Sequence, residues 1–402
     1  MLIIATSISG ASNIALAFLP IYFTSLGGTV LQYGVVMTFT TLVAMPATVV
    51  GGTMTGRYDL KRIAVLTSWI GPAILAGYYL SNSWSVLTIP LLAGGLGSLG
   101  SIAWRQLVAD ATTNRSRTAQ LSVYQTLTSI PSMLAPLAGG FLVHAFGIID
   151  GFRDGILISL ALSPISTVIL IRLLRENASE PFQEGVVPDQ PHPSHRMFRQ
   201  LREFGSNITS LPRTLLPLLL AYVLVSLANS TTNPYMIFYA TAIAKLDTFQ
   251  WGIILSLQMV LANLIRIPLG VVSDRLDKRK VLLFSLVTTA PLSTLLVFER
   301  SFLAILGVLL AMVATGINYT PTHEALQIEL TPRSKRPALF AVYDVLRGAS
   351  ASAGTAIGAF LFTSGYALPF FGYTALEACA CAIIGFHFFL KPGRNSLRIP
   401  SR

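Results

Sequence analysis

Long apolar runs separated by short polar breaks cover most of the chain. A helix that crosses about 30 Å of hydrocarbon at 1.5 Å per residue needs about 20 apolar residues. The pattern therefore predicts an all-α integral membrane protein with twelve transmembrane helices. The predicted segments lie near 1–25, 32–55, 63–81, 86–109, 119–145, 153–173, 214–240, 250–272, 281–298, 301–325, 338–364 and 367–390.

One polar break is much longer than the others and divides the predicted helices into two sets of six. It covers about residues 174–213 and is rich in Pro, Glu, Gln, Ser and Arg, a composition typical of a linker. We therefore predict an N-terminal six-helix bundle at 1–173, a cytoplasmic linker at 174–213, a C-terminal six-helix bundle at 214–390 and a cytoplasmic tail at 391–402.

The two predicted bundles repeat each other in sequence. Gly52–Arg62 and Gly270–Lys280 share the pattern Gly-x-x-x-x-Arg-x-Asp-x-(Lys/Arg)-(Lys/Arg), 218 residues apart. Such a repeat at half the chain length predicts two homologous halves related by a pseudo-two-fold axis. Further matches at offsets of 218 or 219 pair Asp110–Tyr124 with Glu329–Tyr343 and Gln32–Gly34 with Gln250–Gly252.

Composition and charge agree with a membrane protein and exclude a nucleic-acid reader. The chain is 53% hydrophobic and 11% charged, with a mean hydropathy of +0.65, whereas soluble domains are about 25% charged. On this topology 22 of the 28 Lys and Arg residues fall on one face, and only Arg153, Lys245 and Arg300 fall on the other. The positive-inside rule then places both termini and the linker in the cytoplasm of a multi-pass protein of the plasma membrane. The net charge of +11 is explained by topology and anionic lipid, with no nucleic-acid partner.

With twelve spans, a central linker and this repeated turn, the chain resembles the major facilitator superfamily. In that family the loop after the second helix reads approximately Gly-x-Leu-Ala-Asp-Arg-x-Gly-Arg-Lys. Asp274 and Arg275 fit the second copy, whereas Gly56 holds the Asp position of the first copy and Asp59 its later Gly position. The resemblance implies a secondary transporter that works by alternating access and is not an enzyme. We also expect a monomer without cofactor or metal.

The fifth predicted helix carries a partial export motif. Pro136, Gly139 and Gly140 resemble the end of the antiporter pattern Gly-x-x-x-Gly-Pro-x-x-Gly-Gly, whose first two glycines are replaced here. The alternative is that these glycines only let helices approach closely. A fourth-helix arginine typical of proton-coupled drug exporters is absent, because Leu92 holds its position.

Placing an ionisable side chain inside the membrane costs free energy, so each such residue is a candidate for a functional role. Glu377 lies nearest the bilayer centre with no basic residue one turn away, so it is a candidate proton carrier or a neutral acid bonded at a helix interface. Asp344 and Arg347 are three residues apart and are expected to pair along one helix face. Glu324 is a third candidate for proton coupling, with end-of-helix snorkelling as the alternative.

Uncharged polar side chains in helical segments are the candidates for binding a substrate. Polar, interrupted segments in corresponding helices of the two halves indicate a site at mid-depth; here they are Ser9–Asn13 and Asn229–Tyr235. The mostly neutral set favours a neutral or amphipathic solute. The candidates are Asn13, Tyr124, Gln125, Asn229, Asn233, Gln258, Asn263, Asn318 and Tyr319.

The charged loops predict a cytoplasmic gate. We expect Arg57 to meet Asp110 and Arg275 to meet Glu329, because the second and fourth helices of each half pack together in the family fold. Asp59 and Asp274 lie in the same turns and belong to the predicted gate.

The sequence thus favours a transporter of a small neutral or amphipathic molecule, with proton-coupled export as the finer hypothesis. An uncoupled facilitator and a non-transporting membrane sensor of the same fold are the alternatives. The sequence contains no phosphate-binding Gly-x-x-x-x-Gly-Lys-(Ser/Thr) motif, which disfavours ATP-driven pumping.

Overall fold

The computed structural model describes residues 2–55, 58–110, 117–176, 215–331 and 336–390. Within these ranges twelve helices are long and apolar enough to cross a membrane. The predicted all-α membrane fold is therefore confirmed.

Eight of the twelve helices are continuous or interrupted by a single turn residue in their apolar part. One of the eight has a single turn residue, Trp69, between two helical segments, and another is followed by a π-turn at Phe386–Leu390. The eight are α2 (Val30–Thr55), α3 (Leu60–Ser68 and Ile70–Leu80), α5 (Arg117–Phe146), α6 (Ile148–Glu176), α8 (Thr248–Arg275), α9 (Lys278–Phe298), α11 (Arg336–Ser364) and α12 (Leu368–Gly385).

The other four helices are interrupted, and the interruptions recur in equivalent helices of the two halves. They are α1 (Leu2–Ala11, a 3₁₀ turn at Leu16–Phe18, then Leu19–Ser25), α4 (Trp84–Gly94, a 3₁₀ segment at Gly95–Gly100, then Ser101–Asp110), α7 (Leu216–Thr232, a 3₁₀ turn at Asn233–Tyr235, then Met236–Phe238 and a π-turn at Tyr239–Ile243) and α10 (Phe302–Gly316 and Tyr319–Leu330).

Local sequence explains these breaks. Pro234 in α7 and Pro321 in α10 lack the N–H that would bond the carbonyl four residues earlier. In α4, glycines at 94, 95, 97 and 100 lower the preference for a regular α-helix. The break in α1 follows Ser12, whose hydroxyl donates to the carbonyl of Ser9 at 2.7 Å and competes with the helical bond.

The repeated turn, Gly52–Arg62 and Gly270–Lys280, contains the residues that start α3 and α9. Asp59 Oδ1 accepts a hydrogen bond from the backbone N–H of Lys61 at 3.0 Å, and Asp277 accepts from Arg279 at 3.0 Å, 218 residues later. A helix start leaves four backbone N–H groups unpaired, and an Asp at this position accepts a hydrogen bond from one of them. The Asp that replaces the family's Gly in each turn therefore holds the first turn of α3 and of α9.

A second pair of caps opens α2 and α8. Thr29 and Gln32 exchange side chain to backbone bonds of 2.8 and 3.2 Å, and Asp247 and Gln250 exchange bonds of 3.1 and 2.7 Å. Both pairs are capping boxes. The Gln-x-Gly match between the two halves is thus a shared structural device.

Packing groups the described chain into two units. Unit 1 comprises Met1–Glu203 and Pro234–Val260, and unit 2 comprises Phe204–Asn233 and Leu261–Arg402. In unit 1, α1 packs on α5 and α6, and α3 packs on α4 and α6; in unit 2, α7 packs on α11 and α12, and α9 packs on α10 and α12. The same helix partners recur 219 residues later, as expected of duplicated halves.

Large apolar side chains cover the outside of the helices. Leu303, Ile89 and Phe298 are 74%, 70% and 69% exposed. Lipid is the solvent in which such a surface is stable. The protein is therefore a multi-pass membrane protein.

Glycines in α5 permit close helix packing inside unit 1. A methyl group on Gly140 would lie 2.6 Å from the carbonyl oxygen of Thr248 and 3.1 Å from the Cα of Gly252, and one on Gly139 would collide with the carbonyl of Ile14. Pro136 is also buried at this contact. The close-packing interpretation of the α5 motif has direct structural support, and it leaves the antiporter interpretation open.

Replacing Gly140 with Ala is expected to destabilise unit 1 by about 1–3 kcal/mol, because overpacking forces the backbone of α8 away. Thermal unfolding in detergent, followed by tryptophan fluorescence, measures the loss. Gly307→Ala in α10 is the matched control, since a methyl group there meets nothing within 4 Å. An equal loss of stability in both variants would contradict the packing argument.

Candidate functional site

Unit 1 contains a polar cavity of about 530 Å³. Its walls come from α1, α3, α4 and α6, and the size is within the range of small-molecule sites, about 300–1,000 Å³. Most lining side chains are small, and many carry hydroxyl groups. The lining residues are Thr6, Ser9, Ser12, Asn13, Leu16, Ala64, Thr67, Ser68, Gly71, Ile74, Leu75, Tyr78, Gly94, Gly97, Gly100, Ser101, Trp104, Ser163, Ser166, Thr167 and Leu170.

The two interrupted helices of unit 1 create this space. The break in α1 lies beside the cavity at Ser12 and Asn13, and the 3₁₀ segment of α4 presents Gly97 and Gly100 to it. A methyl group on Gly97 would meet nothing within 4 Å. Interrupted backbone at membrane depth is tolerated where it lines a cavity, so the break and the space occur together.

Hydroxyl protons around the cavity are already donated to backbone carbonyls. Ser12, Ser68 and Ser101 donate to carbonyls three residues earlier at 2.7–2.8 Å, Thr67 donates to Ile63 at 2.8 Å, and Ser166 donates across to Ala5 at 2.7 Å. Each hydroxyl oxygen keeps lone pairs that can accept. None of the described lining residues is charged. The cavity is therefore suited to an uncharged molecule that carries O–H or N–H donors.

Unit 2 contains a buried carboxyl group. Glu377 on α12 is only 2% exposed, and its Oε2 lies 2.7 Å from the hydroxyl of Thr289 on α9. Tyr373, one turn earlier on α12, is also hydrogen-bonded to it. These contacts agree with the alternative that Glu377 is bonded at a helix interface.

The hydrogen bonds of Thr289 bear on the proton of Glu377. Thr289 Oγ1 lies 2.7 Å from the carbonyl oxygen of Ser285 as well as 2.7 Å from Glu377. A hydroxyl has one proton, and a carbonyl can only accept. Thr289 can therefore donate to either oxygen or share its proton between them, and if Glu377 is protonated its own O–H can donate to Thr289. The contact is compatible with both the neutral and the ionised form of Glu377.

The interruption of α10 lies beside this acid. A methyl group on Gly316 would lie 3.2 Å from Thr289, and Ser285 Oγ donates to the carbonyl of Thr315 at 2.8 Å. Asn318 follows in the turn and donates to the carbonyl of Leu269 at 3.3 Å. The broken helix thus packs against Thr289, the hydrogen-bond partner of Glu377.

The other candidate proton carriers lie on more open surfaces. The predicted pair of Asp344 and Arg347 is confirmed, with 3.5 Å between the carboxylate and the guanidinium, and both side chains are exposed. Glu324 is exposed on α10. Only Glu377 is buried among the three acidic candidates.

The structure distributes the predicted substrate residues over both units. Asn13 lines the cavity, and Tyr124 lies next to it through a 3.0 Å hydrogen bond to Thr6. In unit 2, Tyr319 is buried near Glu377. The remaining candidates are Gln125 (exposed on α5), Asn229 (bonded to Val225 at 2.9 Å), Asn233 (exposed at the α7 interruption), Gln258 and Asn263 (half-buried on α8) and Asn318.

In one half of the predicted gate the structure shows a different partner for Glu329, and the other half lies outside the described residues. In the described part of the chain Glu329 pairs with Lys278, the first residue of α9, and Arg275 at the end of α8 is exposed. The Asp277 cap starts α9 directly after the turn, and its first residue reaches Glu329. Arg57 is not among the described residues, nor are the side chains of Asp110 and Asp274.

Sequence reasoning missed most of the cavity lining. Ser163, Ser166, Thr167 and Leu170 follow the three-to-four spacing of one helix face, and Thr67 begins a similar row on α3. These hydroxyl rows were the available signal. Such rows alone do not identify a cavity, because Ser and Thr in membrane helices commonly bond their own backbone.

Comparison with known proteins identifies the family. The sequence profile of the Major Facilitator Superfamily matches residues 1–213 and 218–402. The multidrug resistance protein MdtG of Salmonella arizonae is 27% identical over 338 residues, which cover 78% of each chain.

Solved transporter structures share the fold. The nucleoside transporter NupG superimposes with a TM-score of 0.73 at 11% identity, over 96% of this chain and 98% of its own. A bacterial homologue of the iron transporter ferroportin, in an inward-facing state, gives 0.74 at 15% identity, over 96% and 97%. The chain belongs to the Major Facilitator Superfamily and is a secondary membrane transporter, not an enzyme.

Proposed function

We propose that this transporter exports small uncharged or amphipathic molecules, and that protons moving inward drive the export. The observation that carries the proposal is the uncharged, acceptor-rich cavity between the interrupted helices α1 and α4. The name of the MdtG relatives, multidrug resistance proteins, supports a broad range of exported solutes.

The chemistry of the cavity favours binding of many different solutes over recognition of a single one. Its polar groups are hydroxyls spread over four helices, and its apolar patches include Leu75, Leu170 and Trp104. A solute with one or two donors beside an apolar body finds partners in several orientations. Charged solutes are disfavoured because none of the described lining residues neutralises them.

Proton coupling is assigned to Glu377. A carboxyl group buried in a membrane protein is favoured in its neutral form and releases its proton when its surroundings become wetter. Thr289 and Tyr373 keep the group bonded in either form, because a hydroxyl can donate or accept. The acid can therefore cycle between two states without losing its partners.

We further propose that the protein lies in the plasma membrane with both termini in the cytoplasm. The distribution of Lys and Arg supports this orientation. The linker at 174–213 and the tail at 391–402 would then share the cytoplasmic side.

Filling the cavity should block export without unfolding the protein. Gly97→Leu places a side chain in the open space, and we expect drug export from cells to fall by about tenfold, equivalent to about 1.4 kcal/mol of lost binding. Gly307→Leu is the matched control, because that position is equally open but does not line the cavity. Normal export by Gly97→Leu at normal expression would overturn the assignment of the cavity.

Replacing Glu377 with Gln should separate coupling from binding. The amide keeps the shape and the hydrogen bond to Thr289 but cannot titrate, so export driven by a pH gradient should stop while substrate exchange continues. Transport into proteoliposomes with and without a pH gradient measures both. Asp344→Asn is the control, since Arg347 pairs with that carboxylate. Loss of coupling in Asp344→Asn alone would move the role to Asp344, and loss in neither variant would indicate an uncoupled facilitator.

Single cysteines test the orientation. In a background lacking Cys379 and Cys381, Gly185→Cys in the linker should react only with reagents on the cytoplasmic side. Ser25→Cys, at the exposed end of α1, should react only from outside. Labelling of both positions from the same side would contradict the twelve-span topology.

A further inference from the structure

A cluster of aromatic rings in unit 2 surrounds a buried histidine. The ring of His323 on α10 lies 5.2 Å from Tyr222 on α7, 5.5 Å from Tyr319 on α10 and 5.8 Å from Tyr343 on α11. Tyr222 and Tyr343 are 5.0 Å apart. Three helices thus contribute one packed group of rings. None of these rings lines the proposed solute site in unit 1.

Both ring nitrogens of His323 are occupied. Nε2 lies 3.0 Å from the carbonyl oxygen of Leu218, which can only accept, so Nε2 carries the proton. Nδ1 receives the side-chain amide of Gln327 from the next turn. His323 therefore holds the rings together, and neither of its nitrogens is left to pass a proton.

Two tyrosines of this cluster have hydroxyl groups with no protein partner. Tyr319 and Tyr343 are each 6% exposed, and their hydroxyls are buried without a hydrogen bond in the described part of the chain. An unsatisfied buried hydroxyl costs about 1–3 kcal/mol. Buried polar groups of this kind are normally bonded to ordered water. The two hydroxyls are thus suited to hold water in an otherwise apolar core.

Ring contacts join Tyr319, Tyr343 and Tyr222 through His323, and Tyr373 adds a fourth member to this row of tyrosines near Glu377. At the inner end, Tyr373 is hydrogen-bonded to Glu377, and Tyr319 interacts electrostatically with Glu377 and with Tyr343. At the outer end, half-buried Tyr222 interacts with the charges of Arg347, Glu324 and Asp344.

The groups that face this row are few. Thr289 of α9 and Cys381 of α12 adjoin Glu377, and the charges near Tyr222 come from α10 and α11. Glu324 is exposed on α10, whereas the exposed carboxylate of Asp344 is paired with Arg347.

We propose that the hydroxyls of Tyr373, Tyr319, Tyr343 and Tyr222, bridged by water, carry protons between Glu377 and the Glu324 surface. Each hydroxyl oxygen accepts a proton on one side and releases its own on the other, so one proton moves and no group is oxidised or reduced. The inference rests on the proposed titration of Glu377 and adds the route by which its proton enters and leaves. Tyr319 and Tyr343 act as relay residues and do not bind the exported solute.

Time-resolved infrared spectroscopy tests this route without any substrate. A photolytic pH jump is applied to the full-length protein in liposomes, and the carbonyl band of a protonated buried carboxyl group is followed. We expect that Glu377→Gln removes this band. We expect that Tyr319→Phe and Tyr343→Phe keep the band but slow its response by about tenfold or more. Both variants should fold, because the hydroxyls they remove have no protein partner.

The control and the contrary results are distinct. Tyr79→Phe, the same substitution on α3 in unit 1, should respond at the wild-type rate. If Glu377→Gln removes the band but both relay variants respond at the wild-type rate, the route is wrong while the coupling role of Glu377 stands. If Glu377→Gln leaves the band unchanged, both the coupling role and the route are wrong.

Discussion

Backbone N–H and C=O groups cannot be left unpaired in hydrocarbon, and this constraint decides where function can be built in the protein. Eight helices are continuous or interrupted by a single turn residue, but α1, α4, α7 and α10 contain longer breaks. Each break frees backbone groups that must meet protein, water or a solute. The cavity of unit 1 lies at the breaks of α1 and α4, and the buried acid of unit 2 lies at the break of α10. Both proposed sites therefore lie beside interruptions in the transmembrane helices.

Much of the fold could be predicted from sequence because its signals are local. Twelve apolar runs need only length and hydropathy, and the repeat needs only comparison of one half with the other. The turn at Asp59 and Asp277 is a clear case, since a cap acts on the two or three residues that follow it. The partner of Glu329 was not predictable in this way. Arg275 and Lys278 are three residues apart, and only the path of the turn shows which one reaches the carboxylate.

The sites were predicted less completely, for a physical reason. Glu377 was recognisable as a lone acid in an apolar run, but its partner Thr289 is 88 residues away and looks like any other membrane threonine. The cavity residues posed the same difficulty. Serine and threonine in a membrane helix commonly bond their own backbone, so a row such as Ser163 and Ser166 becomes a cavity wall only through packing with α1 and α3.

The hydrogen bonds of the cavity hydroxyls affect which solutes the cavity can bind. Because Ser12, Thr67, Ser101 and Ser166 direct their protons to carbonyls, the wall offers lone pairs and few hydrogens. A toxic compound whose own O–H and N–H groups were methylated would keep its size and apolarity yet have little to offer such a wall. Under the proposed export function, masking donors rather than adding bulk is the modification by which a solute would avoid being exported.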